Sequence, residues 1–180
     1  MLSINIQAAE LWDPVREEFL RLAPQTLRLE HSLFAISKWE AKWHKPFLTN
    51  DAKTGEELAD YIRCMTIPEP AAPEIYLFLK QEDISLIQSY IEDSMTATWF
   101  SGNQTNKRSR EVVTSELIYY WMIRFGIPFT CETWHLNRLL TLIRVCNEKE
   151  TPPKKMSQRQ LMSRNKALNE LRRKQMHSKG

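Results

Sequence analysis

The stretch TSELIYYWMIRFGIPFTCETWHLNRLLTLIRVC, Thr114–Cys146, decides the fold class. Leu117, Ile118, Tyr120, Trp121 and Phe125 recur at helical steps, with Thr114 or a neighbour as the start. Gly126 stops that helix, as glycine commonly does just past a C-terminus, and Pro128 follows. From about Glu132 to Cys146, Trp134, Leu136, Leu139, Leu140, Leu142, Ile143 and Val145 put apolar residues on nearly every side, the pattern of a buried helix. The spacing therefore predicts a helical αα-hairpin at the centre of the core. A DNA-reading helix-turn-helix is the competing interpretation. The turn region, Gly126–Thr133, is longer than the usual three or four residues. The second helix also lacks the polar face that a recognition helix presents to base edges.

Working upstream, Leu33, Ile36, Trp39, Trp43 and Phe47 step by three or four from about His31, with Pro46 ending the helix. Trp39 and Trp43, interleaved with Lys38, Lys42, His44 and Lys45, could stack on nucleic-acid bases. The same tryptophans belong to the apolar stripe, so packing is the stronger reading. Thr54 stands three residues before Glu57, the capping-box spacing, ahead of Leu58, Tyr61, Ile62 and Met65. Ile67–Pro73 is a proline-rich linker. Pro73 suits a first helical position before Ile75–Leu79, and Asp83 suits the cap of a helix through Ile91. Met95–Phe100 is predicted extended, followed by an exposed loop to Asn106.

The first thirty residues read as strand-rich. Ser3–Ile6 alternates polar and apolar. Phe19–Leu22 and Thr26–Glu30 alternate as well, and Ala23-Pro24-Gln25 between them predicts a hairpin. Leu11–Arg16 is ambiguous.

Downstream, Pro152-Pro153 breaks the chain, Ser157 is a candidate N-cap, and a last helix is predicted from Gln158 to about Gln175. Leu161, Leu168 and Leu171 share a narrow face of it. The predicted fold class is mainly α: a single helical domain with a small N-terminal β-hairpin or sheet and a basic C-terminal helical arm. Residues 1–150 form the packed body, strand-rich over 1–30 and helical over 31–150, and residues 151–180 form the arm.

Composition supports this division. The 180 residues are 42% hydrophobic and 26% charged, enough to bury a core without disulfides. Cys64, Cys131 and Cys146 are odd in number and unframed, which predicts reduced thiols. The opening MLSINIQAAELWD carries neither a basic n-region nor an apolar h-region, so no signal peptide is expected. The longest strongly apolar run, Leu117–Ile123, is far shorter than a bilayer span of ~20 residues. The net charge of +3 hides an asymmetry: residues 151–180 carry nine Lys/Arg against Glu170 alone, while the rest holds 16 basic and 21 acidic groups.

Residues with chemical potential are scattered. The glycines Gly55, Gly102, Gly126 and Gly180 lie too far apart to build a phosphate loop. Cys131 and His135 could share a helix face, but Cys146 lies about 16 Å further along the axis, too far for one tetrahedral zinc. The four histidines, His31, His44, His135 and His177, fall in four different elements, and no nucleophile elbow is present. Glu17-Glu18, Glu56-Glu57 and Glu92-Asp93 are adjacent pairs that read as solvated helix faces or first turns. No catalytic residue, cofactor or metal is expected. Lys107, Arg108 and Arg110 form a basic loop cluster, a better nucleic-acid candidate than the helix-turn-helix but of a kind common on ordinary surfaces.

The arm is the clearest functional feature. Lys154, Lys155, Arg159, Arg164, Lys166, Arg172, Arg173, Lys174 and Lys179 could neutralise phosphates or dock on an acidic protein surface. The leucine stripe favours protein. The residues expected to meet a partner are Lys154, Lys155, Arg159, Leu161, Arg164, Leu168, Leu171, Arg172, Arg173 and Lys174.

Several strings resemble one family: LEHSLFAISKWEAKWHKPFL (Leu29–Leu48), EELADYIRCMT (Glu56–Thr66), MTATWF (Met95–Phe100), TSELIYYWMI (Thr114–Ile123), WHLNRLLTLIRVCN (Trp134–Asn147) and PPKKMS with LNELRRKQ (within Pro152–Gln175). Together they are similar to tail assembly chaperones of long-tailed bacteriophages, encoded just ahead of the tape-measure protein. The resemblance spans almost the whole chain. It implies a non-enzymatic protein in the cytoplasm of an infected bacterium that binds the tape-measure protein and helps tail-tube subunits polymerise around it. It also implies no catalytic residues and, in many members, a second length made by translational frameshifting. The alternative is a virion structural or nucleic-acid-associated protein that uses its basic arm on phosphates. A homo-oligomer is possible, and no membrane partner is expected.

Overall fold

Ile4 and Ile6 alternate with Ser3 and Asn5 and build the first strand, β1 (Leu2–Ile6); β2 (Ala9–Asp13), β3 (Glu18–Leu22) and β4 (Gln25–Leu29) follow. The computed structural model describes residues 1–13, 17–49, 51–68, 73–100, 112–151 and 158–176. β1 pairs antiparallel with β4, Leu2 opposite Leu29 and Ile4 opposite Leu27. β2 pairs antiparallel with β3, Ala9 opposite Leu22 and Trp12 opposite Phe19. Two residues separate the pairs on each side and the register runs on unchanged, so the strands make one long ribbon. This corrects the expected hairpin between Phe19–Leu22 and Thr26–Glu30, which are collinear on one side of the ribbon. Pro24 has no N–H to give a ladder, and it marks the break between β3 and β4.

Six α-helices follow among the described residues. α1 (Leu33–Trp43) is capped by Ser32, whose hydroxyl accepts from the Ala35 N–H at 3.2 Å. His44, in the left-handed region at φ 53°, closes it by donating its N–H to the Glu40 carbonyl. Pro46 therefore lies just beyond a stop already made. α2 (Gly55–Met65) begins with the predicted capping box of Thr54 and Glu57. A 3-10 helix, Pro73–Phe78, leads to α3 (Gln81–Glu92). Asp83 sits inside the first turn of α3 and accepts from the Lys80 N–H at 2.9 Å; it is not the cap residue itself. α4 (Ser115–Arg124) is capped by Thr114 and ends before Gly126, whose φ of 63° suits glycine. A second 3-10 helix, Phe129–Thr133, precedes α5 (Leu136–Glu150), and α6 (Gln158–Met176) closes the described chain. The fold class is thus mainly α with a small N-terminal antiparallel sheet.

The centre of the core is α1, not the α4–α5 hairpin. Leu33, Ile36 and Trp39 are almost wholly buried, and α1 packs against α2, α4 and the Phe129–Thr133 helix. α5 fully buries only Leu136, Leu139 and Ile143, spaced by three and four, so one stripe is inside and the rest is partly covered. Its remaining apolar residues pack at the margin of the core. Two compact units result, Met1–Asn147 and Glu148–Gly180. Among the described residues, no helix is long and apolar enough to cross a membrane.

Candidate interaction surfaces

The helix α6 carries most of the residues predicted to meet a partner. Lys154 and Lys155 fall outside the described residues, as do the Lys107–Arg110 cluster, Ser157, His177 and Lys179. Arg159, Leu161, Arg164, Leu168, Leu171, Arg172, Arg173 and Lys174 all lie on α6, and all are exposed. At 3.6 residues per turn, Leu161, Leu168 and Leu171 fall within an arc of about 80°. Arg164 and Arg172 lie within or beside that arc; Arg159, Lys166, Glu170, Arg173 and Lys174 occupy the opposite side. The exposed leucines, 43% for Leu168 to 58% for Leu171, are apolar surface bordered by guanidinium groups.

The ribbon tip is a second apolar surface. The rings of Trp12 and Phe19, opposite one another on β2 and β3, meet edge to face at 5.0 Å and are half-exposed or more. Arg21 bridges Glu10 at 2.9 Å on the same face, while Leu11 and Leu20 share the other. The alternation here is broken by the apolar neighbours Leu11 and Trp12, which is why sequence reading left this strand unassigned.

A cluster of titratable side chains lies buried in the interior. His31 and His135, far apart in sequence, bring their rings to 5.1 Å. His135 donates from Nε2 to the Tyr90 carbonyl at 3.0 Å and accepts the Asn137 N–H on Nδ1 at 3.3 Å, which fixes its tautomer. His31 Nδ1 lies 2.5 Å from the Tyr61 hydroxyl, and the Tyr90 hydroxyl donates to Glu30 at 2.6 Å. Burial, reinforced by the neighbouring His135, pushes His31 down to about 3. Burial likewise raises Tyr61 well above the ordinary tyrosine range. An imidazole of that pKa is too weak a base to accept a proton near neutrality. The cluster ties the β4–α1 junction to α2, α3 and the start of α5. Cys131 is buried in the Phe129–Thr133 helix, and none of the three cysteines forms a disulfide. Among the described residues, no group of three or more His, Cys, Asp or Glu is placed to hold a metal.

The seam between α1 and α2 accounts for the Trp–Lys pattern. Trp39 donates its indole N–H to the Glu57 carbonyl at 2.8 Å, and Trp43 donates to Asp60 at 2.9 Å. Lys45 pairs with Glu57 at 2.6 Å, and Lys42 pairs with Asp60. The hydrogen bond from Lys45 holds the Glu57 carboxyl below its usual range. Burial alone would raise Asp60, but hydrogen bonds from Lys42 and Trp43 bring it down. Trp39 is sealed in the core and Trp43 is half-buried, both with their indole N–H committed within the seam, as the packing interpretation required. Glu57 lies in the first turn of α2, where its capping role and its Lys45 pair leave it buried.

No family model, no curated protein and no solved structure matches the chain.

Proposed function

We propose that this chain is a non-enzymatic assembly factor that binds protein partners, and that it works as a phage tail assembly chaperone on the tape-measure protein and tail-tube subunits. The observation that carries the reading is α6: nineteen residues with three leucines on one exposed face and cationic side chains beside them. A helix of this kind gains from laying its apolar stripe in a groove whose rim is acidic. A long helical partner, prone to aggregate until tube subunits cover it, offers such a groove between its own helices. The resemblance in Leu29–Leu48, Thr114–Ile123 and Trp134–Asn147 supplies the identity of that partner.

The test is co-expression with the tape-measure protein and tail-tube subunit of the same genome. The full chain is expected to co-purify with one of them and to keep it soluble. A chain truncated before Thr151 should lose that capture, and unchanged capture would remove the arm from the mechanism. The nucleic-acid alternative predicts DNA or RNA binding that falls steeply with salt. Retention at low salt by the full chain but not the truncated one would favour it.

A further inference from the structure

α4 and α5 do not close on one another completely. Between them lies a cleft of about 310 Å³, with Trp121, Phe125, Leu140 and Ile143 as its apolar lining and Arg124 and Arg144 at its mouth. That volume is at the small end of ligand sites, which run from roughly 300 to 1,000 Å³. It suits a single large side chain better than an extended cofactor.

Beside the cleft the chain presents such a side chain outward. Phe100 lies under the Arg144 guanidinium, 3.7 Å from it, and so fixes the end of the Met95–Phe100 segment at α5. Trp99, one residue earlier, is 93% exposed, the most exposed large apolar residue described. Trp99 therefore stands away from the body while its neighbour Phe100 is held against α5. Tryptophan buries 150–250 Å² when it finds a pocket, and it is enriched with arginine at the centres of interfaces.

We propose that the α4–α5 cleft receives Trp99 of a second copy of this chain. Three observations select this occupant. First, Arg124 and Arg144 are part of the cleft lining, which favours a segment that brings carboxylates with it. Second, the segment leading to Trp99 starts at Glu92 and Asp93, both exposed carboxylates. Third, Phe100 and Arg144 join donor and acceptor into one continuous surface. A twofold pairing then seats both tryptophans in both clefts at once, the self-complementary arrangement that a closed dimer requires. The inference concerns self-association and does not depend on the chaperone reading.

Sedimentation of the full chain across a micromolar concentration series tests it. The expected result is a monomer–dimer equilibrium. Trp99→Ala changes only an exposed side chain and should leave the fold intact while weakening the dimer about 30-fold or more, the size of a central anchor's contribution. Asn147→Trp, placed at the rim of the cleft, should block it and weaken the dimer comparably. A chain monomeric at every concentration overturns the proposal, including one whose Trp99 emission shows it folded into its own cleft. So does a dimer indifferent to Trp99→Ala. Loss with Trp99→Ala but not with Asn147→Trp would place Trp99 in an interface outside the cleft and equally overturn it.

Discussion

In the seam between α1 and α2, lysines and tryptophans alternate and every one of them has a defined partner: Trp39 with Glu57, Trp43 with Asp60, Lys42 with Asp60, Lys45 with Glu57. In α6, arginines and leucines alternate in much the same way, and the leucines stay in solvent. Both segments mix cationic and large apolar side chains at helical spacing. The difference lies in what faces them. α1 meets a helix whose capping carboxylate, Glu57, and mid-helix acid, Asp60, are aimed at it. Among the described residues of its own unit, α6 meets no such surface. The first segment is structural because its complement is encoded in the chain; the second is functional to the extent that its complement is encoded elsewhere.

The comparison breaks most visibly at Trp39. The side chain is 1% exposed and its indole N–H is the donor to the Glu57 carbonyl. Trp39→Ala is expected to cost about 3–5 kcal/mol, the range for a buried aromatic lost from a core. Urea unfolding followed by circular dichroism measures this. A cost under about 1 kcal/mol would mean that the seam closes over the gap.

Glu40 comes next. It accepts from the Phe47 N–H and from the Ser115 N–H, each at 2.7 Å, so one carboxylate satisfies the loop after α1 and the first turn of α4. Glu40→Ala leaves two buried donors unanswered, and each such loss costs roughly 1–3 kcal/mol. The expected total is about 2–6 kcal/mol. Glu40→Gln, which keeps one acceptor oxygen, should fall between wild type and alanine. If glutamine and alanine proved equal, the hydrogen bonds would not be the source of the effect.

The buried histidine pair adds a pH dependence that α6 cannot show. The His31 pKa is about 3 in the folded chain against 6.5 when unfolded, so between these values the unfolded chain binds the extra proton. Stability is therefore full above pH ~6.5 and declines as the pH falls toward 3, by up to about 1.4 kcal/mol per pH unit. At pH 5 the loss should be about 2 kcal/mol. The groups facing His31 are Tyr61, His135 and, through Tyr90, Glu30. His31→Asn should start less stable at pH 7 but lose less on going to pH 5. Parallel pH profiles for the two proteins would assign the acid sensitivity to another group.

The helices were legible because their signals are local. The capping box of Thr54 and Glu57, the stop at Gly126 and the span of α6 depend on residues within one or two turns. Strand pairing was not, since Phe19–Leu22 looks equally suited to Thr26–Glu30 and to Ala9–Asp13, and only the continuous register decides. Core rank was misread for a related reason. α5 carries more leucines than α1, yet α1 carries Trp39 and Glu40, whose partners lie in other elements. The histidine pair left no sequence signal, because His31 and His135 are joined by the Ser32–His135 bridge and not by spacing. The cleft lining did lie in the stretches read as core, but a gap between two helices is not a property of either one.

The smallest stability effect should come from the change that matters most for binding. Leu168 is 43% exposed on α6, while Leu139 is fully buried on α5. The same substitution, leucine to glutamate, separates the two regions. Leu139→Glu puts a charge in the core and should abolish folding, since an unpaired buried carboxylate costs several kcal/mol. Leu168→Glu meets water, and unfolding of the Met1–Asn147 unit should shift by no more than about 0.5 kcal/mol. Helical content should hold as well, because glutamate is about as good a helix former as leucine. What should change is capture of the acidic, apolar partner that the stripe is proposed to meet, since the new charge repels the groove rim and removes the middle leucine. Capture that survives Leu168→Glu, and survives it in Leu161→Glu too, would show that α6 engages through its charges alone. The leucine stripe would then belong to the same class as any solvated helix face, and the contrast with the α1–α2 seam would reduce to one of charge.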